Sequence, residues 1–324
     1  MRKIPASLAV LGLVAAGLAG CSLPGSNACD RAAAVDPDAL ESVTVSGPTE
    51  DAPDVEVFTP FRTSTAAFDD VVVGDGTRIT SDSQLVVLDV SITSGETGDN
   101  LIETNYDGDL SQVSPVSRWK DVIPSFEDAL QCATEGSRIV VALPPGGIES
   151  QTATSLELGA NDSAVAVVDV RKVYLGRADG ADQFIVGNGL PSVVRGPDGR
   201  PGVIVPDAAP PTDLVVETLK KGTGAEVTGD APVRVHYTGL TWADRSVFDT
   251  TWDAEPQSID LESMLPGFGE ALTGQTVGSQ VLIVLPPDQA YGEEGQGSIP
   301  PDSTLVFVVD ILGIDQPPAA SDEG

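Results

Sequence analysis

The last third of the chain carries an ordered set of motifs that spreads aromatic and aliphatic residues, two tyrosines and Asp249 over about 75 residues. Such spacing predicts a pocket assembled from several strands and loops, and not a site held in a single loop. The chemistry that these residue types support is the gripping of an apolar group in a dry pocket, with a few polar groups to orient it. The motifs that carry them lie at residues 233–239, 248–251, 265–268, 285–292 and 299–312.

The composition limits the other kinds of chemistry. The 324 residues contain one His, three Cys and two Met, so we expect no metal site built from Cys and His clusters. With 49 acidic and 17 basic residues, the net charge is −32. This charge repels nucleic acid and anionic lipid head groups, so we expect no nucleic-acid partner.

The N-terminus has the pattern of a targeting segment. Arg2 and Lys3 precede an apolar stretch, residues 8–18, that is too short to span a membrane comfortably. The following Leu-Ala-Gly-Cys resembles the lipobox of bacterial lipoproteins, which predicts a signal peptide over 1–20, a lipidated Cys21 and a flexible tether over 21–40. The alternative is an ordinary cleaved signal peptide that ends near a cysteine. The first interpretation places the protein on the extracytoplasmic face of the cell membrane, held by its lipid alone.

The two other cysteines are Cys29 and Cys132. Thiols outside the cytoplasm tend to oxidise. We therefore expect one disulfide that joins the N-terminal segment to the first folded domain. Two free thiols would be the alternative.

An internal repeat organises the rest of the chain. Residues 121–145 match residues 263–287 at an offset of 142, with ten of 25 positions identical. Residues 161–170 match 302–311 at an offset of 141, and Gly74 matches Gly222 at 148. The repeat predicts two tandem β-rich domains, at 41–176 and 190–315, joined by a linker over 177–189 and followed by a disordered tail over 316–324.

Apolar periodicity predicts the elements of the second domain. Strands are expected over 214–219, 233–237, 281–285 and 305–311, with one short helix near 268–272. Short apolar pieces at 193–194 and 203–205 flank a Gly-Pro-Asp-Gly turn and are expected to add edge strands. This content predicts an α+β fold, in which each domain is an antiparallel sheet wrapped around a short helix.

The motifs of the second domain resemble the FKBP family of peptidyl-prolyl cis-trans isomerases. They are His-Tyr-Thr-Gly, Phe-Asp, Leu-Pro-Gly-Phe, Ala-Tyr-Gly and Ile-Pro-Pro, in family order. The resemblance implies an isomerase pocket, no cofactor, and proline-containing segments of unfolded or secreted proteins as partners. It assigns nine residues to the pocket: Tyr237, Phe248, Asp249, Met264, Leu265, Phe268, Tyr291, Ile299 and Phe307. Ile259, Met264, Leu265 and Phe268 replace the usual family residues, which puts macrolide binding in doubt more than catalysis.

The first domain lacks this set. In the repeat alignment, Tyr237, Phe248, Asp249, Tyr291 and Phe307 fall opposite Asp89, Ile102, Glu103, Glu149 and Ala166. We therefore predict an FKBP-like domain without isomerase activity.

Two functions remain open on the sequence. The first is an isomerase that assists the folding of secreted or envelope proteins, since slow X–Pro steps limit folding. The second is a chaperone or scaffold lipoprotein that binds proline segments without turning them over. A solute-capture lipoprotein is not supported, because no large two-lobed α/β pattern is present. The single histidine, His236, alternates with Tyr237 and is expected to face away from the pocket.

Overall fold

The computed structural model describes Cys29, residues 37–184 and residues 189–316. The predicted signal peptide, Cys21 with most of the tether, and the tail from residue 317 lie outside the described residues. Within the described part, no helix is long and apolar enough to cross a membrane. Cys29 and Cys132 are both disulfide-bonded.

The N-terminal half is an antiparallel sheet with helices against one face. Its strands run in the order β3-β7-β8-β4-β5, with β6 beside β4, once the elements are numbered along the chain. The elements of this half are β1 (Val43–Ser46), β2 (Asp54–Val57), β3 (Ala67–Val72), β4 (Leu85–Ser94), β5 (Asn100–Glu103), β6 (Ser114–Pro115), α1 (Val116–Val122), α2 (Phe126–Leu130), β7 (Arg138–Leu143), α3 (Ser150–Ser155) and β8 (Ala164–Val173). Phe126 and Leu130 of α2 are fully buried against the sheet.

The C-terminal half repeats this plan with one α-helix. Its sheet has the order β14-β13-β17-β16-β12-β9, with β15 also paired to β13, and every pairing is antiparallel. The elements are β9 (Ala181–Asp182), β10 (Ser192–Arg195), β11 (Pro201–Ile204), β12 (Val215–Lys221), β13 (Val233–Thr241), β14 (Val247–Thr250), β15 (Gln257–Ile259), α4 (Pro266–Leu272), β16 (Gln280–Leu285) and β17 (Leu305–Ile314). The predicted α+β class is confirmed, with α1 and α3 as additions that the sequence did not predict.

A β-hairpin covers the outer face of each sheet. The central strands β7 and β16 are buried at every residue, so both of their faces need an apolar cover. The β1–β2 hairpin packs on one sheet and the β10–β11 hairpin packs on the other. The expectation that 193–194 and 203–205 add edge strands was therefore wrong, because the two pieces pair with each other in a separate sheet.

Equivalent polar side chains fasten each hairpin to its sheet. Arg138 is fully buried and donates two hydrogen bonds to Asp169, at 2.7 and 2.9 Å. It also donates to the hairpin carbonyls of Gly47 and Asp51. In the C-terminal half the arginine comes from the hairpin instead: Arg195 donates to Gln280, which in turn donates to Asp310. Since a buried charge without partners is costly, these networks fix the hairpin positions.

The segment between the halves is hydrogen-bonded to the C-terminal sheet. The backbone N–H groups of Leu175, Ala178 and Gly180 donate to Leu312, Asp310 and Gly278. Residues 181–182, within the predicted linker, form the outer strand β9. The halves are thus joined by a paired segment along this stretch.

Candidate functional site

Three aromatic rings surround Phe307 on the inner face of the C-terminal sheet. Phe248 and Phe268 meet it edge to face, with ring centroids at 5.6 and 5.2 Å, and Tyr237 lies at 6.3 Å. β13 supplies Tyr237, β14 supplies Phe248, α4 supplies Phe268 and β17 supplies Phe307. Aromatic pairs prefer such edge-to-face contacts, so each ring helps to fix the others.

Aliphatic side chains complete the wall. Ile259 and Ile299 are buried in the same cluster, and Met264 and Leu265 are half-buried against it. Met264 and Leu265 directly precede α4, where Pro266 at the first helical turn fixes the chain direction. Seven of the nine predicted residues therefore lie in one apolar cluster.

The two remaining residues are polar groups at the edge of this cluster. The Tyr237 hydroxyl donates a short hydrogen bond to Asp249. Burial raises the pKa of Tyr237, and the hydrogen bond to Asp249 and the negative charge of that carboxylate raise it further. Tyr237 therefore stays protonated and holds the carboxylate in place.

Tyr291 lies on the loop after β16 and is 36% exposed. Within the described residues no hydrogen bond engages its hydroxyl. It is thus available to donate to a ligand that enters the apolar cluster. Ile299 belongs to the same long loop, so Tyr291 and Ile299 come from the two arms of one connection between β16 and β17.

Gly239 makes room for the rings, and the sequence reasoning missed it. A Cβ atom added there would lie 2.7 Å from Phe248 Cζ and 2.8 Å from Phe307 Cε1. Both distances are far below normal carbon–carbon contact. The signal that could have found it is a glycine in the interior of a predicted strand, which often marks a close approach.

Thr251 holds the strand that carries Tyr237. The Tyr237 N–H donates to Thr251 Oγ1 at 2.9 Å, and the Thr251 N–H donates to the Tyr237 carbonyl at 3.1 Å. His236 contacts the same Thr251 hydroxyl at 2.9 Å and stacks on Trp252 at 4.4 Å. Burial lowers the pKa of His236 to about 4, so it is neutral near pH 7. It lies outside the apolar cluster.

The strand register corrects the comparison of the two halves. Tyr237 pairs with Val309, and the corresponding pair in the N-terminal sheet is Val90 with Val168. Val90, and not Asp89, therefore occupies the Tyr237 position, while Asp89 occupies that of His236. By the same register, Leu101 replaces Phe248 and Ile102 replaces Asp249, and Ala166 remains the counterpart of Phe307.

The N-terminal half fills the corresponding space with aliphatic side chains. Ile92 stands where Gly239 does and is 3% exposed, and Leu101 packs on the same cluster. Glu149, aligned with Tyr291, accepts hydrogen bonds from the backbone N–H groups of Gln151 and Thr152 and caps α3. At this end of the sheet a cavity of about 30 Å³ lies beside Ile148.

Residues 224–312 match the family described as FKBP-type peptidyl-prolyl cis-trans isomerase. A probable FK506-binding protein of Corynebacterium glutamicum is 33% identical over 114 residues, which cover 35% of this chain and 97% of that protein. FkpA of Aeromonas hydrophila, an isomerase of this type, is 43% identical over 110 residues, 34% of this chain and 41% of that protein.

Further relatives match over part of their length as well. The 22 kDa FKBP-type isomerase of Escherichia coli is 44% identical over 103 residues, and the chain covers 50% of it. The crystal structure of FkpA from Escherichia coli is matched at 30% identity over 41% of this chain and 55% of that one, with a TM-score of 0.32. The chain thus spans about half or less of these longer relatives and nearly all of the Corynebacterium protein. With 97% of that relative covered at 33% identity, and with the family match over β13 to β17, the chain belongs to the FKBP-type peptidyl-prolyl cis-trans isomerases.

Proposed function

We propose that the C-terminal half catalyses cis/trans isomerisation of X–Pro bonds in secreted or envelope proteins as they fold outside the cytoplasmic membrane. The observation that carries this proposal is the set of rings around Phe307, with Tyr237 and Asp249 at its edge. Uncatalysed X–Pro isomerisation takes tens to hundreds of seconds, so a catalyst changes the folding rate of such clients.

The geometry suits this reaction. The barrier of about 18–20 kcal/mol comes from amide resonance, which is lost as the bond twists. A site therefore lowers the barrier by gripping the proline ring and favouring the twisted amide over the planar one. The proline ring packs on the apolar cluster, and the Tyr291 hydroxyl donates to a carbonyl of the bound segment. Asp249, held by Tyr237, faces the carbonyl carbon of the twisting bond.

A peptide isomerisation assay tests the proposal on the full chain. Tyr291→Phe removes the exposed hydroxyl and is expected to lower kcat/KM by about tenfold, the value of one hydrogen bond. Tyr106→Phe is the matched control, because it removes a tyrosine hydroxyl from the N-terminal half. A parent protein with no rate above background, which still binds a proline peptide, would favour the chaperone or scaffold function instead.

We infer that the N-terminal half has no isomerase activity. Ile92 and Leu101 fill its interior, and Val90 and Ala166 replace the rings of Tyr237 and Phe307. Its contribution is then structural: it holds the paired segment from Leu175 that continues into the C-terminal sheet. Residual activity of the full chain after Tyr237→Val and Phe307→Ala would contradict this inference.

We also propose that a lipid on Cys21 anchors the protein on the extracytoplasmic face of the membrane. The support is the Leu-Ala-Gly-Cys sequence after a short apolar stretch. Labelled fatty acid should enter the parent protein in cells and not the Cys21→Ser variant. Equal labelling of the two would contradict the anchor.

A further inference from the structure

A cavity of about 630 Å³ lies where β13 ends and β17 begins. Its walls come from residues 206–210, from the turn between β13 and β14, and from residues 300–304. Pro206, Pro210, Trp242, Pro300 and Pro301 give it an apolar lining. Its volume is within the range of about 300–1,000 Å³ that is typical of ligand pockets.

The cavity and the ring cluster share one short segment of the chain. Ile299 lies in the pocket cluster, and Pro300 and Pro301, which follow it, line the cavity. A smaller cavity of about 400 Å³ lies along 294–301 of the same loop. Residues 299–301 therefore link the ring cluster to both cavities.

The charge lining the larger cavity is negative. Asp207, Asp244 and Asp302 contribute carboxylates, and Arg245, its basic lining residue, already forms an ion pair with Asp207. Glu293 and Glu294, on the loop between Tyr291 and Ile299, are exposed and add to the same sign. Cationic side chains of a partner would thus be attracted to this surface.

The wall formed by residues 206–210 is held in place before any partner binds. Trp242 is 5% exposed, and its indole Nε1–H donates to the Ala208 carbonyl at 3.1 Å. This segment precedes residue 224, where the family match begins. The groove is therefore partly built by a part of the chain outside the matched region.

We propose that this groove, lined by residues 206–210, 241–245 and 300–304, binds the part of a client polypeptide that flanks the proline, and that it selects lysine and arginine there. The inference rests on the proposed isomerase function, since it takes its occupant from the pocket next to it. The shared segment 299–301, the apolar lining and the carboxylates together fit an extended basic segment.

The test compares two substrates with the same X–Pro core. One is a short blocked peptide that reaches only the pocket, and the other is a longer peptide with lysines on both sides of the core. The variant is Asp207→Asn with Asp302→Asn; asparagine tolerates the left-handed backbone of residue 302, whose φ is 54°. The control is Asp213→Asn with Asp230→Asn, two exposed carboxylates outside the groove.

At low ionic strength, kcat/KM of the groove variant is expected to fall about three- to tenfold on the long peptide and to stay unchanged on the short one, because rim charges mainly affect association. The difference should vanish at high salt, and the control should behave as the parent. An equal effect on both peptides, or no effect on the long one, would refute the proposal that the groove binds the client.

A second variant, which blocks the groove sterically, tests the contribution of its apolar lining. Ala243→Trp, at an exposed groove position, should lower the rate on the long peptide at all salt concentrations and leave the short-peptide rate unchanged. Should the parent lack activity on both peptides, the isomerase function fails, and the groove is then tested by binding of the fluorescent long peptide to parent and variants. Equal binding by all, or a dimer of the protein that Ala243→Trp abolishes, would refute a client-binding groove.

Discussion

Gly239→Ala should damage the pocket more than the fold. The added Cβ would lie 2.7 Å from Phe248 and 2.8 Å from Phe307, whereas carbon atoms in contact are about 3.5–4.0 Å apart. One of the rings must therefore move by about 1 Å. Phe307 is buried among three other rings, while Phe248 is half-buried, so Phe248 is the ring expected to move.

The two consequences have different magnitudes. Overpacking of this kind destabilises a protein by about 1–3 kcal/mol, which a domain of ordinary stability survives. A misplacement of about 1 Å in a binding wall can lower the rate about a hundredfold. We therefore expect kcat/KM on a short proline peptide to fall by one to two orders of magnitude in a protein that is still folded.

The assay combines isomerisation rates with urea unfolding. Gly202→Ala is the matched control, because Gly202 is also a strand glycine and its added Cβ would meet only the Val194 side chain, at 3.1 Å, and a carbonyl at 3.9 Å. Adding Phe248→Leu to Gly239→Ala should restore stability without restoring activity, since leucine is the residue at that position in the N-terminal half. Full activity of Gly239→Ala, or a loss explained by unfolding, would refute the reasoning.

Four further changes test other parts of the structure. Phe307→Ala should cost about 3–5 kcal/mol in urea unfolding, because a large buried ring is lost. Arg138→Met should cost a similar 3–5 kcal/mol, since it leaves the buried Asp169 carboxylate without the opposite charge that pairs with it. Burial raises the pKa of Asp310 to about 6, so protonation of Asp310 stabilises the fold at low pH. This contribution to the free energy of unfolding is complete below about pH 4 and is lost as the pH rises through 6, a change of about 3 kcal/mol. Asp310→Asn should remove this pH dependence. Burial lowers the pKa of His236 to about 4, so the stabilisation from neutral His236 is lost as the pH falls from 6.5 to 4. This change opposes that of Asp310 over the same pH range. In His236→Phe, the loss of stability with rising pH that Asp310 causes should therefore become larger.

Strong local patterns made the C-terminal half predictable. The strand predicted over 281–285 is Gln280–Leu285, and the helix predicted near 268–272 is Pro266–Leu272. Both lie beside Pro-Gly or Leu-Pro-Pro signals that fix where an element must begin or end. The hairpin β10–β11 was misassigned, because two short apolar pieces do not reveal which sheet face they cover. That choice depends on the long-range burial of β16.

The sequence alignment of the two halves was wrong by one residue along β4. The offset between equivalent positions is 148 at Ile79 and Val227, which make matching backbone bonds, and 147 at Val86 and Val233. The loop before β4 is therefore one residue longer than the loop before β13. Because successive strand residues point to opposite faces, a one-residue slip exchanged the inner face for the outer one.

The corrected register gives a physical reason why one fold holds a pocket and its repeat does not. Both halves keep a fully buried phenylalanine from the helix, Phe126 or Phe268, so the helix alone does not decide the matter. The difference lies across the strand pair, where Gly239 faces Phe307 in one half and Ile92 faces Ala166 in the other. Glycine opposite phenylalanine leaves space above the strand that neighbouring rings can border, whereas isoleucine opposite alanine fills that space from the strand itself. Replacing Ile92 by glycine should therefore create a cavity and destabilise the N-terminal half by about 2–5 kcal/mol, without producing isomerase activity, because no ring is present to line the space.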